Sequence, residues 1–151
     1  MSCVHLATAL VLREGHVLLV ASRYPNHTEP LWNLPGGRQQ PGELLQQTVA
    51  REVREETGLD ARVGGLCYVS ESYDGDMHFM NFTFAAEAQG EHAVPRDQSD
   101  HVVDVRWTPI GDLENQIAVR VVREPLLAYL RGDLPRYAGY AEAGISIVFP
   151  D

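Results

Sequence analysis

The sequence predicts an α/β sandwich, with a mixed sheet held between helices, on three observations. Short runs of apolar and β-branched residues recur along the chain, one long stretch without proline or glycine has helical periodicity, and a second helical run follows the later strands. At 151 residues the chain is read as a single domain, 1–151, because a chain near that length buries about 68 to 70 % of its unfolded surface in one core.

The elements follow in order. Cys3 to Leu12 is small and aliphatic, Arg13 to His16 supplies a turn, and Val17 to Ala21 is a second apolar run, so the chain opens on a β-hairpin. A polar loop from Ser22 to Pro30 leads to a brief extended segment, Leu31 to Leu34, stopped by Pro35-Gly36-Gly37. Between Glu43 and Thr57 good helix formers dominate and Leu45, Val49 and Val53 recur every four residues, which predicts a helix. Gly58 is placed to end it in the left-handed conformation, with Leu59 making the accompanying apolar contact. Two strands, Arg62 to Glu71 and His78 to Glu87, flank the turn residues Tyr73-Asp74-Gly75-Asp76 and pair antiparallel. Val102 to Trp107 is a further strand, and Pro109 starts a helical turn through Leu113. Val119, Val122, Leu126, Leu127 and Leu130 then mark a second helix containing Pro125. In the tail from Gly132, the β-branched character of Ile145 to Phe149 predicts an edge strand.

Composition narrows the function. Twelve basic against twenty-one acidic residues give a net charge of −9, which repels polyanions and argues against duplex nucleic acid as a partner. A small phosphorylated ligand remains compatible where a divalent ion reverses the local field. Cys3 and Cys67 lack any metal or disulfide spacing and read as two reduced thiols. The run Val4 to Leu12 is too short and too polar for an export signal, and no run approaches the roughly 20 apolar residues of a membrane span. A cytoplasmic monomer or homodimer without membrane contact is therefore expected.

The chemistry concentrates in one segment: Gly37, five residues, Glu43, seven residues, then Arg51-Glu52-Val53-Arg54-Glu55-Glu56-Thr57-Gly58-Leu59. At about 100° per residue, Glu52, Glu55 and Glu56 share roughly a 100° arc of the helix, with Val49 and Val53 beside it. One helix can thus press aliphatic residues on a sheet while its acids line a cleft. An acidic helix face is ordinarily solvated surface, but acids in a last turn face the negative end of the helix dipole, at about 0.3 to 1 kcal/mol each. A sequence tuned for stability alone would place lysine there, so the broken rule points to a cation.

This pattern resembles the Nudix box at every defined position, a match expected by chance in on the order of 1 in 10⁸ windows at ordinary residue frequencies. Leu34-Pro35-Gly36 and Val105 to Pro109 also look like the family's usual surroundings. The resemblance implies a Nudix-like α/β/α sandwich and a Mg²⁺-dependent hydrolase, Mn²⁺ being the substitute ion, that attacks a phosphoanhydride of a nucleoside di- or triphosphate with water and releases a nucleoside monophosphate. Magnesium suits hard carboxylate oxygens combined with phosphates. Glu52 and Glu56 are the first-choice ligands. Glu55 either completes a second ion site or takes a proton from the attacking water, and the carbonyl of Gly37 can also reach the ion. Arg51 stands one turn before Glu55 and can hold it, and Glu43 can orient neighbours. Among acids beyond the box, Asp97, Asp100 and Asp104 compete to be a further ligand or base. Asp100 is chosen, with His101 beside it read as surface.

Arg23 and Arg38 are candidate phosphate clamps, and Tyr24, Tyr73 and Phe79 candidate stacking partners for a base. Nucleotide sugars and dinucleoside polyphosphates are the alternative substrates, and a nucleotide sensor that does not cut is the alternative class.

Overall fold

The structure is a computed structural model that describes residues 2–90, 93, 101–133 and 135–147. Eight strands form one mixed sheet: β1 (Cys3–Arg13), β2 (His16–Ser22), β3 (Leu31–Asn33), β4 (Gly36–Arg38), β5 (Asp60–Asp74), β6 (Met77–Gln89), β7 (Val102–Pro109) and β8 (Tyr137–Tyr140). Three helices accompany them: α1 (Leu45–Thr57), α2 (Leu113–Gln116), reached through a 3-10 turn at Ile110–Asp112, and α3 (Arg120–Leu130).

The predicted opening hairpin is present, closed by Glu14 and Gly15, both at positive φ, as a two-residue turn that follows strand twist requires. Its strands part at once. β1 pairs with β2 only at Leu12–Val17 and Arg13–His16, then takes β4 as its neighbour on that side at Leu6–Arg38 through Thr8–Gly36. β6 runs parallel to β1 along its other edge. β2 meanwhile keeps β7 along one edge and takes β3 on the other. The sheet therefore splits beyond the hairpin.

Alternation along the strands builds a core on each face. Ala7, Ala9, Val11 and Leu18 pack with Val49 and Val53 of α1. Leu10, Val17 and Leu19 pack with Leu113, Ile117 and Leu126 of the α2–α3 side. The sandwich read from element order is the observed architecture.

Boundaries depart from expectation where side chains compete with the backbone. α1 starts at Leu45, two residues later than Glu43, because Gly42 takes positive φ, Leu44 is extended and the Glu43 carboxylate is used outside the helix. Leucine has no acceptor to cap with, so Gln47 Oε1 reaches back to the Leu44 amide at 2.7 Å as half a capping box. Gly58 is left-handed, as expected. Pro35-Gly36-Gly37 stops β3, but Gly36 and Gly37 then add to β1 as β4 instead of remaining loop. Pro125 lies inside α3 and deprives the Val121 carbonyl of its helical partner.

The tail corrects the sequence reading. Ile145 to Ile147 is not a strand, and residues 148–149 lie outside the described ones. The strand is Tyr137–Tyr140, which lies parallel to β5 at the sheet edge. Its Ala-Gly centre has weak β-propensity, so the long-range pairing decides the conformation.

Leu18 is fully buried between β2 and α1, whereas Leu12 is 48 % exposed. Leu18→Ala should cost about 2 to 5 kcal/mol in chemical denaturation, and Leu12→Ala within about 0.5 kcal/mol of nothing.

Candidate active site

The split between β1 and β2 opens a cleft of about 510 Å³, reached by the last turns of α1 and by β4. Its acids depend on the two glycines. A Cβ on Gly36 would lie 2.3 Å from the Ala7 carbonyl oxygen, and one on Gly37 2.6 Å from Glu52 Oε1. Only glycine lets this strand pass between β1 and the helix. The Gly36 amide then donates to Glu56 Oε1 at 2.8 Å.

Glu56 is 2 % exposed, and burial, with the charge of Glu52 adding to it, pushes its carboxyl up to about 7 against the donors from His101 and Gly36. Glu52 is also buried and raised by desolvation, which outweighs its pairing with Arg51. Two buried acids that repel each other suit a hard divalent cation, whose charge would remove both penalties.

Arg51 organises the outer acids. Its Nε and Nη2 grip the two oxygens of Glu43 at 2.6 and 3.1 Å, and Nη1 reaches Glu52 at 2.9 Å and Glu55 at 3.2 Å. The remaining donor direction goes to the Arg38 carbonyl at 3.0 Å. Arg51 holds the Glu43 carboxyl down to about 2, with donors from the Gln40 amide and Thr48 assisting. The Arg51–Glu55 pair expected from spacing is present, as one contact of a larger hub. Among the described residues no three Asp, Glu, His or Cys side chains converge as ligands in this arrangement, in which Glu55 is tied to Arg51.

Beyond the acids, the cleft floor is a set of cross-strand rungs. Thr8, Thr83 and Tyr68 share one, Leu6, Asn81 and Ser70 the next, and Phe79 and Ser72 a third. Thr8 and Thr83 hydroxyls meet at 2.7 Å, and Asn81 Nδ2 donates to Thr83 at 3.1 Å.

The predicted residues divide. Glu52, Glu55, Arg51, Gly37, Arg38, Tyr24 and Phe79 line the cleft, with Glu56 directly behind. Arg23 does not: its side chain is exposed and only its amide is engaged, donating to the His101 carbonyl at 2.7 Å. Tyr73 stacks on His78 instead, with ring centroids 4.4 Å apart and outside the cleft lining, because past the irregularity at Leu66–Tyr68 the odd residues of β5 face away from the Ser70 and Ser72 side. Asp97 and Asp100 lie outside the described residues. Asp104 is exposed, caps the Val105 amide and stays out of the cleft.

His101, read from sequence as surface, lines the cleft with Nε2 3.2 Å from Glu56 Oε2. The polar rungs were also missed. Their signal is period-two polarity within a strand, Asn81 and Thr83 alternating with aromatics, which marks a face open to something other than a helix.

The model of the NUDIX domain matches residues 4–130. The chain belongs to the NUDIX family. It is 34 % identical over 104 residues to an "NAD-capped RNA hydrolase NudC" of Stutzerimonas stutzeri (strain A1501), covering 69 % of this chain and 36 % of that one. It is 37 % identical over 78 residues to a "Putative 8-oxo-dGTP diphosphatase" of Bacillus subtilis (strain 168), 49 % of each. The chain thus spans half or less of the length of these relatives. Among solved structures, a NUDIX hydrolase from Nitrosomonas europaea superposes with a TM-score of 0.74 at 24 % identity, covering 94 % of this chain and 80 % of that one. A UDP-X diphosphatase gives 0.70 at 21 %, covering 91 % and 68 %. Such identities show the fold alone.

Electrostatics of the site set a pH dependence. An acid raised from 4.5 to about 7 binds more protons folded than unfolded, so it costs nothing below pH 4.5 and its full penalty appears above 7. In chelator-treated NUDIX domain the thermal midpoint should fall as pH rises from about 4.5 to 7. Glu56→Gln should flatten that fall, and an equal slope in both proteins would contradict the burial argument.

Proposed function

We propose that this NUDIX domain is a Mg²⁺-dependent pyrophosphohydrolase of nucleoside di- and triphosphates that releases a nucleoside monophosphate. The observation that carries the reading is the pair of buried acids, Glu52 on the cleft with Glu56 directly behind it, beside Glu55 and Arg38 in a cleft large enough for a nucleotide. The family and the names of its relatives support phosphoanhydride chemistry.

Glu52 and Glu56 would hold the ion, with Glu55 and the Gly37 carbonyl as further donors. A bound Mg²⁺ supplies charge neutralisation on the phosphates and a more acidic water. The chain's own groups do the rest. Gly36 fixes Glu56 through its amide, and Arg51 fixes Glu52 and Glu55 in a common orientation. Glu55 is the most exposed of the three acids and is placed to accept a proton at the cleft surface. His101 donates to the second oxygen of Glu56 at 3.2 Å and so fixes the carboxylate's orientation. Arg38, at the cleft rim, faces incoming phosphate.

A dinucleotide substrate is the second reading, favoured by relatives named as NAD-capped RNA hydrolases. The net charge of −9 counts against the RNA part of such a substrate. No helix among the described residues is long and apolar enough to cross a membrane. A cytoplasmic site of action agrees with that.

The test is a panel of nucleoside di- and triphosphates, nucleotide sugars, dinucleoside polyphosphates and NAD⁺, assayed for phosphate and mononucleotide release with Mg²⁺, with Mn²⁺ and with chelator. Nucleoside triphosphates should be the best substrates, chelator should abolish turnover, and Glu56→Gln should lower kcat at least 100-fold. Equal turnover by wild type and Glu56→Gln would sink the metal-site assignment. Tight nucleotide binding with no turnover across the panel would establish the sensor reading instead.

A further inference from the structure

Past residue 130, where the family match ends, the chain passes through β8 and then crosses the open side of the cleft. Residues 141–147 have no regular secondary structure, yet they are tied down on two separate elements. At the β5–β6 turn, the Ala143 amide donates to the Tyr73 carbonyl at 2.9 Å and the Ser146 hydroxyl donates to Asp74 Oδ2 at 2.7 Å. On the loop between β2 and β3, Asn26 Nδ2 and His27 Nε2 donate to the Ser146 carbonyl at 2.7 and 2.6 Å. The segment is a strap joining the two sides of the cleft.

Its residues alternate. Glu142, Gly144 and Ser146 are exposed, whereas Ala143, Ile145 and Ile147 are half-buried and line the cleft. The strap thus presents an apolar surface to a space whose floor is polar. On that floor Asn81 is held by one end: Nδ2 donates to Thr83 and, at 3.4 Å, to Ser70, while Oδ1 is buried without a hydrogen-bond partner. A buried carbonyl oxygen left unpaired is destabilising, and rotation of the Asn81 amide, whose residue lines the cleft, would bring that oxygen to a ligand's N–H. An apolar wall above and a lone acceptor below are together the complement of a flat heterocycle with a donor on its edge.

We propose that the strap 141–147 is the base-binding wall of this enzyme: a nucleobase lies against Ile145 and Ile147 while an N–H on its edge donates to Asn81 Oδ1, the amide turning into the cleft to receive it. This rests on the hydrolase reading above, since it takes the phosphates to occupy the carboxylate end of the same cleft. The strap lies outside the matched NUDIX region, so the base preference it sets belongs to this chain's own tail and not to the box.

The test uses calorimetric binding with Mg²⁺ present, comparing a non-hydrolysable nucleoside triphosphate analogue with inorganic tripolyphosphate, which has no base. Ile145→Asn/Ile147→Asn should weaken the nucleotide at least tenfold and tripolyphosphate less than twofold. The conservative pair Ile145→Val/Ile147→Val should keep nucleotide affinity within threefold, and Asn81→Leu should weaken the nucleotide alone. Thermal midpoints establish that each variant is folded. Nucleotide affinity unchanged by the asparagine pair, or tripolyphosphate weakened in parallel with nucleotide, would overturn the assignment. The predicted binding pattern without hydrolysis supports the strap and overturns the hydrolase reading. Hydrolysis with affinity indifferent to the strap does the reverse.

Discussion

The hydrogen bond between the Gly36 amide and the buried Glu56 carboxylate, 2.8 Å long, joins the sheet to the helix that carries the acids, and the rest of the site is built around it. It can form only because β4 runs so close to β1 that a Cβ on Gly36 would lie 2.3 Å from the Ala7 carbonyl oxygen. That closeness in turn requires β1 to leave β2 after two residue pairs and accept β4 in its place. Fold and site are therefore one arrangement: the split that opens the cleft is the split that admits the glycines. The arrangement is costly to the bare protein. It buries a carboxylate whose charge is opposed by desolvation, by Glu52 and by the C-terminal end of α1.

Arg51 balances what lies outside that buried pair. A lysine could match one carboxylate, but the planar fork of arginine engages Glu43 through two nitrogens while a third contact set reaches Glu52 and Glu55. This explains why Glu43 sits before the helix and not inside it. From the loop its carboxylate can also accept from Thr48 and the Gln40 amide, so the segment that enters α1 is fixed by the same residue that orients the arginine. The hub leaves Glu55 as the most exposed of the three glutamates, 36 % against 2 % for Glu56. Graded exposure gives three neighbouring glutamates different chemistry on one helix.

Much of this was legible in the sequence because it is local. Helical spacing alone places Glu52, Glu55 and Glu56 together and Val49 and Val53 on the sheet, and Gly58 ends the helix where a left-handed residue is needed. What escaped is long-range. His101 reaches Glu56 across 45 positions, and nothing near it in the chain announces an acid partner. Tyr73 is a candidate stacking residue by its aromatic ring, but strand parity turns it away, a matter of register that sequence patterning fixes only when one face is clearly apolar. Tyr137–Tyr140 became a strand through pairing with β5, while the more β-prone Ile145 and Ile147 became cleft lining.

The same division separates reaction from recognition. On the face shared with α3, the helix covers Cys67 and Tyr68 of β5, but Ser70 and Ser72 farther along the strand line open cleft. A polar floor on one half of a face whose other half is hydrophobic core is not needed for folding, since alternation would serve as well with valine there. Its residues come from β1, β5 and β6 and its cover from the tail, none of them in the Gly37 to Leu59 segment. On the proposed function the box therefore specifies a phosphate chemistry and leaves the rest of the substrate open. On that reading two chains could share every position of it and differ in what they bind, because the group carried on the phosphate would meet a surface written elsewhere in the sequence.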